Sequence, residues 1–429
     1  MIHPRIKLFF ILITIPFLGL AQGSYNNPLS YYGYGLYAPN YLTADIGMGG
    51  ANSGLSQNNL INIGNPASYH FLYTQQVDVG LASASSNFNI NGNTFSTSGG
   101  GIRSFAYGFP FGKRFGVGLA LKPFSSNNYE LAQTSTPTPS SFVTNVLLGD
   151  GGFNNFSAGL GVKLFQDSLN IISLGANVNY LFGFATDNAY TLISDASSSN
   201  FNTHVYNRTG FNGVYGDVGI LYNRRVSKKI SLGLGLTYTP PQKSRAFQTV
   251  FSGSFSGQPG FELTKDTILF SRDTAKMDLP SSLGLGLSLE IGKGLVLNGS
   301  YKTTQFSGGK IFQNNLNISD RSEFSVGVQY IPNVEEYTKL LKVARYRVGG
   351  RFVNTGLSYA GRGISEFGIT FGLGLPLLKS QSLTSFNISA EVGNRSNGAG
   401  YSEQFNNIYV GVSIAPHKFD RWFIRRKID

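Results

Sequence analysis

The stretch ISLGLGLTY, Ile230 to Tyr238, puts Ile230, Leu232, Leu234, Leu236 and Tyr238 at every second position and fills the gaps with Ser231, Gly233, Gly235 and Thr237. A period of two marks a strand whose faces meet different surroundings, here one greasy and one small or polar. The pattern recurs from Val77 onward: FGVGLALKPF from Phe115, FSAGLGVKLF from Phe156, LGLGLSLEI from Leu283, FSVGVQY from Phe324, FGITFGLGL from Phe367, FNISAEV from Phe386 and IYVGVSI from Ile408. A soluble sandwich also alternates, with its apolar face turned inward. The second face separates the two cases, because a water-facing surface carries Lys, Glu and Thr, whereas here Gly or Ser fills it repeatedly. The reading is an all-β fold, a transmembrane antiparallel β-barrel of about 14 strands.

Composition agrees. Only 13% of the 429 residues are charged, against roughly 25% in an average soluble domain, and no linker divides the chain after Val77. Met1 to Lys7 carries Arg5 and Lys7, Leu8 to Leu20 is apolar throughout, and Gly19-Leu20-Ala21 offers small residues for cleavage. This predicts a signal peptide over 1–21, since a spanning helix needs about 20 apolar residues. With no Cys there is neither a disulfide framework nor a lipid anchor at the cleavage site.

Connections alternate in length. GKR after Phe111, QDSLN after Phe165, RVSKK after Arg224, GKG after Ile291, Pro332 to Arg345 and LLKSQS after Pro376 read as short periplasmic turns. Ala132 to Leu148, Ser194 to Asn202, Phe251 to Lys276, Ser307 to Asp320 and Asn394 to Asn407 read as longer external loops, which predicts an even strand number. Lys113, Arg114, Arg224, Arg225, Lys228, Lys229, Lys293, Lys339, Lys342, Arg345 and Lys379 fall at the short turns, while Lys265, Arg272, Lys276, Lys310 and Arg395 fall in the long loops. No basic stripe carries interleaved aromatics, so nucleic acid is not an expected partner.

Before the barrel (77–416) lies a plug (22–76) whose centre, GMGGANSGLSQNNLINIGNPASY from Gly47 to Tyr69, is neither helix nor strand. Gly47, Gly49 and Gly50 suit backbone packed closely on a neighbouring surface, and Asn65, Pro66 and Ala67 end the segment, Pro66 barring any ladder through that point. Tyr31 and Tyr37, in the aromatic run ahead of it, join Phe111 and Phe124 as candidate lining residues for a small hydrophobic ligand or detergent-like molecule. Pro332 to Arg345 spaces Val334, Tyr337, Leu341 and Ala344 for a short amphipathic helix. The tail, 417–429, holds the only Trp and is a candidate docking peptide through Trp422, Phe423, Arg425, Arg426 and Lys427. No His has a second ligand at metal spacing, so no metal, cofactor or enzymatic site is expected.

GMGGA followed by NPASY, with the whole-length architecture, resembles the FadL/TodX family of outer-membrane transporters for hydrophobic compounds, especially its divergent Bacteroidetes members. The resemblance implies that Asn65, Pro66 and Ala67 lie in an amino-terminal hatch inside a fourteen-stranded barrel. It also implies a third strand kinked inward to open a lateral passage, and Pro123 in FGVGLALKPFSSNNY supplies a reason for a break. Two functions follow. The first is passive uptake of small hydrophobic molecules, with exit near Pro123 into outer-membrane lipid. The second is a non-transporting scaffold in a larger outer-membrane assembly, docked to other envelope proteins through tail and helix. Inward-facing Lys122, Lys163, Asp217, Glu290 and Glu391 favour the second, because a lumen bridged by opposite charges is filled rather than greasy.

Overall fold

The computed structural model describes residues 25–33, 35–38, 40–56, 60–138, 141–195, 201–306, 310–311, 314–315, 318–335, 339–377 and 384–415. The signal segment and the tail with Trp422, Phe423, Arg425, Arg426 and Lys427 lie outside them. Fourteen antiparallel strands form one closed wall. They are β1 Gln76–Ile90, β2 Asn93–Phe111, β3 Phe115–Ser126 with Tyr129–Thr138, β4 Ser141–Gln166, β5 Asn170–Asp195, β6 Asn202–Ser227 and β7 Ile230–Thr239 with Gln242–Ser256. There follow β8 Leu263–Leu279 with Ser281–Ile291, β9 Leu295–Gln305, β10 Arg321–Tyr330, β11 Arg345–Tyr359, β12 Arg362–Pro376, β13 Ser385–Ser396 and β14 Tyr401–Ile414. The wall closes where β1 meets β14, from Val77↔Ile414 to Ile90↔Tyr401.

The alternation sets which way each face points. In β7, Leu234, Leu236 and Tyr238 are 44%, 37% and 44% exposed, and the intervening Gly233 and Gly235 are buried. The greasy face therefore looks outward and the small face into the lumen. A soluble barrel is built the other way round, so hydrocarbon is the medium that this wall fits.

Three strands are interrupted. β7 breaks across Pro240 and Pro241 and β8 across Pro280, where a ring nitrogen cannot donate to the ladder. β3 breaks at Asn127 and Asn128 after a register shift between Pro123 and Ser125 against β4. Its last residues before the break turn to the lumen side, where Ser126 and Ser125 pair with Leu36 and Tyr37. On its other edge, β3 meets β2 only from Phe105↔Leu121 to Phe111↔Phe115. Beyond that point Asn93–Ser104 of β2 ladders with β1 alone, and Tyr129–Thr138 of β3 ladders with β4 alone, among the described residues. The wall thus has a seam between β2 and β3.

Several expectations need correction. Ala132 to Leu148 and Phe251 to Lys276 are not loops; they are hairpin ladders running to Thr138↔Ser141 and Ser256↔Leu263. Asn394 to Asn407 shrinks to four residues between β13 and β14, 397–400. Their Ser, Thr and Asn content marks strands with two polar surroundings, and Thr in particular suits a strand. Lys265, Arg272 and Lys276 consequently sit on β8. Of the expected amphipathic helix the described residues hold one turn, Leu340–Val343, with Leu341 66% and Val334 41% exposed and Ala344 buried; Tyr337 lies outside the described residues. No helix among the described residues is long and apolar enough to cross a membrane.

Candidate functional site

The amino-terminal segment meets the wall through glycine. A Cβ added at Gly175 would collide with Pro66 and the Ala67 nitrogen, at Gly116 with the Tyr69 carbonyl, at Gly219 with the Asn65 side chain, and at Gly235 and Gly286 with Ser53 and Gly54. Across the barrel, one at Gly327 would strike Met48, at Gly349 Gly49, at Gly372 the Gly47 Cα at 2.8 Å, and at Gly411 Thr43 Oγ1 at 2.7 Å. These glycines adjoin along the ladder, as Gly116↔Gly161, Gly161↔Gly175, Gly175↔Gly219, Gly235↔Gly286, Gly327↔Gly349 and Gly80↔Gly411. Where β9 and β13 lack such a glycine, Ser300 Oγ accepts from Ser53 N at 3.3 Å and Ser389 Oγ donates to Thr43 O at 2.7 Å. A segment can touch strands all round a closed wall only from inside. The plug sits in the lumen on a belt of bare backbone.

Its own fold follows from local chemistry. Asn65 Oδ1 accepts from Ala67 N at 3.0 Å and caps the 3-10 helix Pro66–Phe71, while Asn65 Nδ2 donates to Ser53 O and across to Ile220 O of β6. Gly49 and Gly50 have φ of +68° and +82°, and Gly49 N donates to Thr370 Oγ1 of β12 at 2.9 Å. Burial pushes the Asp45 carboxyl up to about 6, against hydrogen bonds from Asn52 and Leu42 N, and holds the His70 imidazole down to about 4. Leu42, Ile61, Ile63, Tyr69 and Leu72 pack on Ala106 and Ala120 of the wall.

Above the plug, charges fill the lumen side of β10 to β14. Arg351 pairs with Glu366 and Glu391 at 2.6 Å each, Arg395 with Glu366 at 2.6 Å and with Glu403, and Arg321 with Glu323 at 2.8 Å. All seven side chains are close to fully buried. Tyr401 and Tyr409 hydroxyls donate to Glu403 and Glu391. Each carboxylate thus faces a guanidinium, the condition under which burial of charge is tolerated. Between this lattice and the seam lies a cavity of about 430 Å³, lined by Tyr37, Tyr41, Gly100, Ile102, Pro123 and Phe306 on one side and by Arg321, Arg351, Glu366, Glu391 and Arg395 on the other. A smaller chamber of about 70 Å³ holds Lys122, Phe124, Asp217 and Lys302, with Asn177 and Asn179 donating to Asp217.

The candidate residues divide. Tyr37 lines both chambers and packs edge-on against Phe124 at 5.4 Å between ring centroids. Phe124 lines only the smaller one. Tyr31 packs on Tyr129 at 5.3 Å, away from either chamber's lining, and Phe111 is 65% exposed at the short-turn end of β2. Arg395, expected in an external loop, is in the lumen lattice because the strand continues past it. Glu391 joins that lattice and Asp217 and Lys122 the smaller chamber, whereas Lys163 reaches only Gln166 near the short turn. No cluster of potential metal ligands occurs among the described residues. His204 stacks on Tyr190 at 4.2 Å and meets Asn188 Oδ1 at 2.9 Å.

A fourteen-strand antiparallel barrel seated around its own amino-terminal segment is a fold that this protein shares with solved transporter barrels. Solved structures similar to it include a Pseudomonas aeruginosa FadL homologue (14% identity, 90% of this chain and 100% of that one, TM-score 0.57). The Ralstonia pickettii toluene transporter TbuX matches at 12% identity over 88% of this chain and 98% of that one, with a TM-score of 0.54. The Pseudomonas putida toluene transporter TodX matches at 16% identity over 88% and 98%, also at 0.54. Identities this low speak to fold alone. The chain belongs to the BamG family, whose model matches it over residues 1–429. No curated protein matches it.

Proposed function

We propose that this protein is a non-enzymatic accessory barrel of a Bam-associated outer-membrane assembly, a scaffold for other envelope proteins. The observation that supports this reading is the occupied lumen: a route for apolar cargo needs a greasy wall, and three arginines and four glutamates line this one. The family match over the whole chain points the same way. Docking falls to the short-turn, periplasmic end. There the exposed Lys293 and Glu335 join two turns at 2.5 Å, a contact that keeps the Glu335 carboxyl below its usual range. The tail would add Trp422 and Phe423 as apolar anchors and Arg425, Arg426 and Lys427 as charges for an acidic partner. An affinity-tagged chain extracted from native outer membranes in mild detergent should bring Bam proteins with it in fixed ratio. A chain that purifies alone would overturn the proposal, and unchanged partners after deletion of residues 417–429 would remove the tail from it.

Passive uptake of a small hydrophobic molecule is the second reading, favoured by the cavity that reaches Pro123 beside the seam. In that reading Tyr37 and Phe124 line the path, and cells lacking the protein take up a labelled monoaromatic hydrocarbon more slowly.

A further inference from the structure

The seam between β2 and β3 leaves two strand edges without a ladder partner among the described residues. Residues at the start of the described chain lie against both sides of it. Thr97 Oγ1 on β2 donates to Asn26 O at 2.8 Å, and on the other side of the gap Asn27 N donates to Asn128 O of the β3 break at 2.8 Å. Ser30 Oγ donates to the same carbonyl at 2.7 Å, and the Tyr31 ring stands edge-on to Tyr129. The segment is bound to both sides of the gap at once.

We infer that Tyr25–Tyr32 is a strap that closes the wall seam between β2 and β3. Its end is clamped by the lumen lattice. Tyr25 OH and Asn27 Nδ2 both donate to Glu403 Oε1, at 3.0 and 3.1 Å, and Glu403 is in turn paired with Arg395. Leu29 adds an apolar hold, buried with Phe88, Leu357, Ile364 and Tyr401. Tyr25–Tyr32 is the leading part of the 22–76 segment and acts sideways: Gly47–Tyr69 packs on the wall's glycines, while the strap closes the seam toward lipid. The inference does not rest on either function proposed above, and a closed seam weighs against the lateral exit of the second.

Because the chain has no cysteine, Ala84→Cys in the cavity wall gives a unique site for a bimane fluorophore. The full-length protein is reconstituted in vesicles of phosphatidylcholine with brominated acyl chains, which quench only a fluorophore that the chains can reach. Intact protein should be quenched weakly. Asn27→Pro removes both the N–H to Asn128 and the amide to Glu403, and a milder pair, Thr97→Val with Tyr31→Ala, loosens the strap without touching the lattice. Quenching should rise about threefold in each, given how few hydrogen bonds hold the strap. Resistance to unfolding in cold detergent reports that the barrel is intact, and if the proline variant fails that control the milder pair carries the test. Unchanged quenching in an intact variant, or full quenching before any substitution, overturns the strap.

Discussion

Valine in place of Gly175 should dislodge the plug. The new Cβ would collide with the Pro66 carbonyl carbon and the Ala67 nitrogen and stand 2.5 Å from the Pro66 oxygen, all of them backbone atoms with no rotamer to change. Gly175 lies between Gly161 and Gly219 on the ladder, so the wall there cannot bow outward without breaking its own pairing. Overpacking of this kind costs about 1–3 kcal/mol where side chains can adjust, and more where backbone meets backbone. The expected result is a barrel that unfolds at a markedly lower temperature in detergent and whose Gly47–Tyr69 stretch becomes open to protease. Gly299→Val is the control, because a Cβ there meets open space. Equal melting of the two variants would show that the belt does not carry the plug.

The second large effect is expected from Arg395→Leu. Arg395 binds Glu366 through Nε at 2.8 Å and Nη2 at 2.6 Å and reaches Glu403 through Nη1. Removing it leaves two buried carboxylates, one still shared with Arg351 and the other held only by hydroxyls and an amide. Breaking one side of a buried pair destabilises by about 3–5 kcal/mol. Thermal unfolding followed by the loss of compact mobility on gels measures it. Adding Glu403→Gln should recover part of the loss, which a purely steric effect of leucine would not allow; a double variant no more stable than the single one would discard the lattice as the cause.

The barrel was legible because a wall in lipid writes itself into every second residue. Leu234, Leu236 and Tyr238 name the outward face, and Gly233 and Gly235 between them name the inward one without any partner being known. The turns GKR and GKG supplied parity, and Asn65-Pro66-Ala67 a local signal for the 3-10 helix Pro66–Phe71, whose cap joins the Asn65 side chain to a backbone N–H only two residues on. Less visible were features that depend on register. Glu391 could be assigned to the lumen, but that it meets Arg351 depends on strands two places away, β11 and β13, being brought into line by β12. Arg395 was hidden by its Asn- and Ser-rich neighbours, which resemble a loop but continue the ladder to Ser396. The height of Phe111, exposed at the short-turn end of β2, was hidden for a related reason: an aromatic near a strand end has no stated height until the turn beside it is placed. At Pro123 the missing N–H marks a register shift, yet the break itself falls at Asn127 and Asn128, where Leu36 and Tyr37 have already drawn Ser125 and Ser126 inward.

The glycine belt also bears on time. Contacts this close between the segment and the wall's glycines, some with its backbone and some with its side chains, leave little clearance for a folded plug to slide in from either end, and the wall is held closed by the β1–β14 ladder, whose strands lie at opposite ends of the barrel sequence. The segment therefore has to be in place before the β1–β14 ladder joins, which couples its seating to the closing of the wall.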